Sequence, residues 1–353
     1  MTHRLAVMLA GLALIVALPG EADAQITGRH EIAGNSVAIY NLAGTVTIIG
    51  GSGSDVTVNI QAGGRDQSDL RLATGSIEGI ETLRVIYPSD HIVYDELRGG
   101  SRTTLRVRED GTFSDGRGDR SHADRVRITG SGSGLEAYAD MEITVPAGKD
   151  VALYLGVGEV RASNVNGDLI IDVAAAPVET QNTMGTLLVD TGSGTVLVED
   201  AVGDVDIDTG SGSVEVRSIS EGSLRIDTGS GRVTGSNLNV DMLYVDTGSG
   251  GIELEEVTTT RAELDTGSGG VRLDLTGDID DLNIDTGSGS VVLAVPGNFG
   301  AELMVETGSG GIDFEMPVMV SEFSRREIRG TIGDGNGRVV IDTGSGSVRV
   351  ISR

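Results

Sequence analysis

The residues with the clearest chemical potential are the acids of a repeated Asp-Thr-Gly-Ser-Gly motif. Asp-Thr-Gly supports acid–base catalysis only where two carboxylates share one proton on loops that meet across a cleft. Here the motif is repeated at nearly constant spacing, which does not suggest two lobes facing each other, so we assign no protease site. The eight copies begin at Asp190, Asp208, Asp227, Asp246, Asp265, Asp285, Glu306 and Asp342.

The same acids could bind cations. Copies that stack in register would bring carboxylates to about 4.8 Å from one another, and a hard cation such as Ca²⁺ would relieve their repulsion. Alternatively, each acid accepts backbone N–H groups of the turn that follows it. We favour the turn role and keep cation binding as the alternative. The stretch Gly50–Val58 resembles a single calcium-binding nonapeptide, but Thr57 stands where an apolar residue is required.

Basic side chains concentrate in one stretch, residues 98–127, which has a net charge of +3. It is interpreted either as a solvated loop and strand face or as a patch that binds an anionic glycan or an acidic rod. Its arginines are Arg98, Arg102, Arg106, Arg108, Arg117, Arg120, Arg125 and Arg127. His30, His91 and His122 lie far apart in sequence, without the spacing of metal ligands. We therefore assign no catalytic, cofactor-binding or metal-binding residue.

Composition narrows the possible functions. The 353 residues include 26 basic and 53 acidic ones, for a net charge of −27, which disfavours binding to nucleic acids and to anionic membranes. There is no Cys, so disulfides are excluded. With no Trp and 3% aromatic residues, the core must consist of Val, Ile and Leu.

The spacing of the motif predicts the elements that carry it. The first seven copies lie 18–21 residues apart, and the last follows after 36, which we interpret as two coils of 18. The positions one and three residues before the acid and six after it are apolar in every copy, with mixed positions between them. This alternation around a Gly-rich corner indicates strand, turn, strand with one buried face. We expect an all-β fold, a parallel β-solenoid with coils of about 18–21 residues, whose corner glycines supply positive φ and close approach.

Three regions are predicted along the chain. Residues 1–24 are predicted to be a signal peptide. They contain Arg4, an apolar run over 5–18 and a small-x-small cleavage site before Gln25. Residues 25–145 form an irregular, strand-rich region that starts and caps the solenoid. Residues 146–353 hold the regular repeats, with an excursion at 315–337 expected to cover an edge or the base. The protein is thus expected to be exported to the periplasm, the cell surface or the medium.

Several short motifs together resemble a family of exported bacterial β-strand-repeat proteins grouped as adhesins, a domain of unknown function. They are the Asp-Thr-Gly-Ser-Gly repeat, the Val-Pro-Ala-Gly run at 145–148, the Val-Pro-Gly run at 295–297 and the Ile-Gly-Asp-Gly run at 332–335. The likeness extends from about residue 35 to the C terminus and is clearest over 141–353. It implies surface interaction or adhesion, and it has no catalytic residues to carry over. The arginine-containing stretch at 67–127 departs from the family pattern.

The function expected from these observations is that of a non-enzymatic exported interaction module, an adhesin or an envelope-associated binding rod. A self-associating or cation-stabilised envelope scaffold is the first alternative. A carbohydrate-active β-helix enzyme is the second, although coils of 18–21 residues leave little room for a cleft. We expect no cofactor, and a surface glycan or an envelope protein is the kind of partner considered.

Overall fold

The computed structural model describes residues 26–97, 101–113 and 123–353. The predicted signal peptide, Arg98, Arg117, Arg120 and His122 lie outside these ranges. One 3-10 turn spans Gln67–Asp69. The strands of the N-terminal region and of the first coils are β1 (Gly28–Ile32), β2 (Ser36–Gly51), β3 (Val56–Gly63), β4 (Arg71–Ile77), β5 (Ile80–Ile86), β6 (His91–Val93), β7 (Arg102–Arg108), β8 (Ala123–Thr129), β9 (Leu135–Glu136), β10 (Tyr138–Pro146), β11 (Asp150–Ser163), β12 (Leu169–Ala175) and β13 (Val178–Met184).

The remaining strands form the regular coils and the C-terminal end. They are β14 (Leu187–Thr191), β15 (Val196–Val202), β16 (Val205–Thr209), β17 (Val214–Ser220), β18 (Ser223–Thr228), β19 (Val233–Asn239), β20 (Met242–Thr247), β21 (Ile252–Thr258), β22 (Arg261–Thr266), β23 (Val271–Leu275), β24 (Asp281–Thr286), β25 (Val291–Val295), β26 (Ala301–Thr307), β27 (Ile312–Phe314), β28 (Met319–Phe323), β29 (Glu327–Ile332), β30 (Gly337–Thr343) and β31 (Val348–Ser352).

Each regular coil contains two strands. In one coil β14 leads through a Gly-Ser-Gly corner to β15, and a short return leads to β16. Strand β14 pairs in parallel with β12 and β16, and β15 pairs in parallel with β13 and β17. We call the sheet of strands before the corners the front sheet and the sheet after them the back sheet. The long strands β2 and β11 run through both sheets, so the predicted parallel β-solenoid is confirmed.

The core lies between the two sheets. The apolar columns one and three residues before each acid are buried in every coil, for example Val245 and Leu243. The column six residues after the acid is buried too, except that Ile312 at the end of the stack is half-exposed. Identical positions pair from coil to coil, so each apolar side chain packs on its own copy. Such a core needs no large aromatic residues.

The corner glycines are required for close approach between coils. A Cβ on Gly250 would lie 1.7 Å from the carbonyl oxygen of Gly231 in the neighbouring coil. From Gly210 onward, however, no glycine of a Thr-Gly-Ser-Gly corner has positive φ, so that part of the expectation is wrong. Positive φ occurs instead at single residues on the back strands or directly after one, and four of these are Asn or Asp, the non-glycine types that adopt it most readily. These residues are Asn164, Asn182, Asp200, Ser218, Asn237 and Glu256.

The last coil of the chain is not the last in space. Strand β30 lies between β24 and β26, and β31 lies between β25 and β27. Strands β28 and β29 form an antiparallel hairpin, and β29 covers the other side of β26. The interpretation of the 36-residue gap as two successive coils is therefore wrong. The hairpin reverses the direction of the chain twice. Strand β30 can therefore lie between β24 and β26 and run parallel to both.

The N-terminal end is built from mixed pairings. Strand β5 pairs in parallel with β2 and is covered by antiparallel β4, while β10 pairs in parallel with β2 and is followed by antiparallel β3 and β1. A separate four-stranded sheet, in the order β7, β8, β6, β9, packs at the corner side. A Cβ on Gly156 in β11 would lie within about 3 Å of Leu105 and Ile128 of this sheet. Where the sheet covers a corner, residues 174–176 are Ala-Ala-Ala, followed by Pro177, in place of the Gly-Ser-Gly that the next coil has at 192–194.

Candidate functional site

The repeated acids form one continuous ladder on the outer face of the front sheet. Their pairing is in register from strand to strand, including the intercalated β30. In spatial order the carboxylates belong to Asp172, Asp190, Asp208, Asp227, Asp246, Asp265, Asp285, Asp342 and Glu306. Partial burial, and then repulsion from the neighbouring acids, raise the pKa of Asp227, Asp265 and Asp285.

The turn role that the sequence suggested for these acids belongs to the threonine beside them. In one coil Thr247 Oγ1 accepts the N–H of Gly250 at 2.9 Å and donates to the carbonyl of Gly231 in the neighbouring coil at 3.2 Å. The same pair of bonds recurs at Thr228, Thr266, Thr286, Thr307 and Thr343. The carboxylates from Asp208 to Asp342 make no hydrogen bond to their corner. The prediction that these acids accept backbone N–H groups of the turn is therefore wrong.

The ladder does not gather into a metal centre. Among residues 26–97, 101–113 and 123–353, no three His, Asp or Glu side chains converge as ligands. The segment between β2 and β3, which contains Asp55, gathers no such group either. Near its middle the ladder is partly neutralised by Arg225, which lies 3.5 Å from Asp227 and stacks 4.3 Å above the ring of Tyr244.

The arginine-rich stretch, in contrast, does produce a convergent surface. Strands β7 and β8 pair antiparallel, with Arg106 opposite Arg125 and Thr104 opposite Arg127. Alternation puts Arg102, Arg106, Arg125 and Arg127 on the same exposed face, while Val107, Val126 and Ile128 point inward and are buried. We call these four residues the arginine face.

A groove of about 520 Å³ lies on this face. His91 on β6 pairs with Arg127 on β8, and a His91 ring nitrogen lies 3.3 Å from Thr129 Oγ1. The groove therefore offers guanidinium, hydroxyl and imidazole groups to one ligand, beside the acidic residue Asp90. It is lined by Asp90, His91, Arg102, Thr104, Arg125 and Arg127.

No described carboxylate forms an ion pair with any of the four side chains of the arginine face. Elsewhere most arginines are paired, as Arg217 is with Glu199 and Glu215 on the back sheet. Arg84, which the sequence analysis did not single out, donates to the Asp110 carbonyl at 2.9 Å. Arg108 belongs to the same strand as the face but donates to Thr112 at 3.2 Å. Like charges directly opposite each other, as in Arg106 and Arg125, destabilise a sheet, so this pair does not stabilise the pairing of β7 with β8.

Comparison with known proteins identifies the family. The Toastrack DUF4097 family model matches residues 119–351, and the chain belongs to this family of β-repeat proteins. A crystal structure of a putative cell adhesion protein from Clostridium sporogenes is similar at 9% identity and a TM-score of 0.24, over 92% of this chain and 98% of that one. No curated protein matches. In the part of the chain that the structure describes, no helix is long and apolar enough to cross a membrane.

Proposed function

We propose that the protein is a non-enzymatic exported interaction module, an adhesin-like or envelope-associated rod, whose arginine face binds an anionic partner. The observation that supports it most is the set of four exposed guanidinium groups without a described carboxylate, on a chain of net charge −27. A guanidinium group is planar and donates bidentate hydrogen bonds to carboxylate, sulfate or phosphate. The solenoid serves as the rigid support that presents this face.

The partner that fits best is a surface glycan carrying carboxylate or sulfate groups. The groove is open to solvent, and its described lining comes mainly from β6, β7 and β8, which allows a polymer to lie along it. In the cross-strand pair Arg106 and Arg125, the Cβ atoms lie about 5 Å apart on the same face. That spacing allows adjacent acidic groups of one chain to be bound together.

Binding to polygalacturonate and dextran sulfate tests this function. We expect the double variant Arg106→Gln/Arg125→Gln to bind both polymers at least about tenfold more weakly, because two charge-assisted contacts are lost. The matched control is Arg261→Gln/Arg272→Gln, which removes the same charge from two exposed, unpaired arginines on the solenoid. Uncharged dextran controls for non-ionic binding.

Three outcomes contradict the proposal. One is that the unchanged protein binds neither anionic polymer, and another is that both double variants bind equally weakly, since charge alone would then explain the result. The third is the release of shortened polygalacturonate, which would make the protein an enzyme.

The mass of the exported protein tests the predicted cleavage before Gln25.

A further inference from the structure

The C-terminal end of the solenoid leaves one side of a strand uncovered. Beyond the level of β26 and β27, the front sheet continues with β29 and then β28. Within the described residues the back sheet ends at β27, which pairs only with β31. The inner side of β28, which would face the core in any regular coil, therefore has no strand opposite it.

Two side chains on β28, Phe323 and Met319, are the most exposed large apolar groups of the described chain, and Val320 on the same strand is exposed as well. Phe323 is 74% exposed, Met319 72% and Val320 50%. Phe323 pairs with Ile328, which is buried, and Val320 pairs with Gly330, so both lie on the inner side. In addition, β28 pairs with β29 alone, which leaves one row of backbone groups free. Exposed apolar patches and free strand edges mark interaction sites.

The opposite end of the solenoid has a different character. Its outer strand β4 carries the small or polar residues Thr74, Gly75 and Ser76. On the next strand, β5, Glu81 pairs with buried Val37, so a charged side chain lies near the inner side of the sheet. Such polar and inward-pointing groups discourage edge pairing. The N-terminal end therefore does not match the apolar C-terminal end, whereas a second C-terminal end does.

Charge also favours a second copy of this end. Arg325 and Arg326 lie in the turn after β28, and their side chains form no ion pair with a described carboxylate. Asp313 and Glu315 precede the strand, and each reaches Arg349 only at 3.8 Å. When two β28 strands pair antiparallel, the turn of one copy lies toward the start of the strand in the other. Arg325 and Arg326 of each copy are thereby brought toward Asp313 and Glu315 of the other. No other stretch of the solenoid is as rich in arginine as residues 325–329.

We propose that two copies of this chain associate tail to tail by antiparallel pairing of their β28 strands about a two-fold axis. The front sheets then join into one, and the Val320 and Phe323 side chains of the two copies pack beside one another on the inner side. The same patch serves both copies, so the assembly closes at a dimer and does not extend into a filament. This inference is independent of the arginine face.

Sedimentation velocity over a range of protein concentrations tests the association. We expect a monomer–dimer equilibrium that Phe323→Ser weakens at least about tenfold, because an exposed aromatic side chain is lost from the contact. Since Phe323 is largely exposed, the variant should retain its fold, which circular dichroism checks. The control is Ile80→Ser, which removes an exposed apolar side chain (43%) from the other end.

A cysteine trap locates the contact, because the natural chain has no Cys. Ser321→Cys at the middle of β28 should form an intermolecular disulfide on mild oxidation, whereas Ser76→Cys on the N-terminal edge strand should not. A monomer at every concentration, a dimer that Phe323→Ser leaves unchanged, growth beyond the dimer, or equal cross-linking at both cysteines would each overturn the inference. Glycan binding is measured separately, so either proposal can fail alone.

Discussion

The buried threonine of each corner connects neighbouring coils through its hydroxyl group. Thr247 has no exposed surface and both accepts the Gly250 N–H and donates to the Gly231 carbonyl. Replacing it by Val keeps the shape but leaves a buried N–H and a buried C=O unpaired, which costs about 1–3 kcal/mol. We expect Thr247→Val to lower the free energy of unfolding by that amount in urea denaturation.

Ser249 in the same corner provides the control. Its side chain is exposed, and surface substitutions of this kind usually change stability by less than about 0.5 kcal/mol. We expect Ser249→Ala to unfold at nearly the same urea concentration as the unchanged protein. Equal losses in the two variants would mean that the corner is stabilised by its backbone alone and that the threonine bonds contribute nothing.

At the scale of the elements, the carboxylate ladder makes the front sheet sensitive to pH. Burial and like-charge neighbours raise the pKa of Asp227, Asp265 and Asp285 in the folded protein. These groups bind protons more readily folded than unfolded, so their destabilising effect at neutral pH is relieved as the pH falls toward the ordinary Asp pKa of about 3.9. We expect the urea midpoint to be higher at pH 5 than at pH 7.

Two substitutions separate this effect from acid denaturation in general. Asp227→Asn should raise the midpoint at pH 7 and reduce its dependence on pH, because one repelling charge is gone. Asp204 behaves in the opposite way, because hydrogen bonds from Ser223 lower its pKa; Asp204→Asn should lower the midpoint at pH 7. A midpoint that is flat between pH 5 and pH 7, or equal shifts in both variants, would contradict the expected repulsion along the ladder.

The sequence predicted the elements better than it predicted the contacts between them. Apolar positions at constant spacing were sufficient for the two sheets and for the acid ladder, since both depend on register alone. The function of Thr247 was missed, because a polar residue in a core is explained only by the neighbouring coil. The sequence identified the arginine-rich stretch 98–127 but not the arginine face itself. Only the pairing of β7 with β8, in which Arg106 lies opposite Arg125, shows which side chains converge.

At the scale of the whole molecule, the stacking order of the coils could not be predicted from the sequence. Parallel coils with the same motif look interchangeable along the chain, so spacing alone cannot show that the final coil enters between two earlier ones. The intercalated coil is central to its end of the solenoid, and Ile341 and Val350 within it are fully buried. The end can therefore close only after the last residues of the chain are in place.

Truncation after Asn336 tests this order. The shortened chain lacks β30 and β31, so β26, β27 and the β28–β29 hairpin lose the strands that join them to the earlier coils. Because each coil contacts only its neighbours, we expect hydrogen exchange to become fast over residues 301–332 while coils before β24 stay protected. The control removes only Arg353, which pairs with Asp274 at 2.9 Å. If residues 301–332 remained protected without the final coil, they would have to stack directly on β24, and the final coil could not be the layer between them.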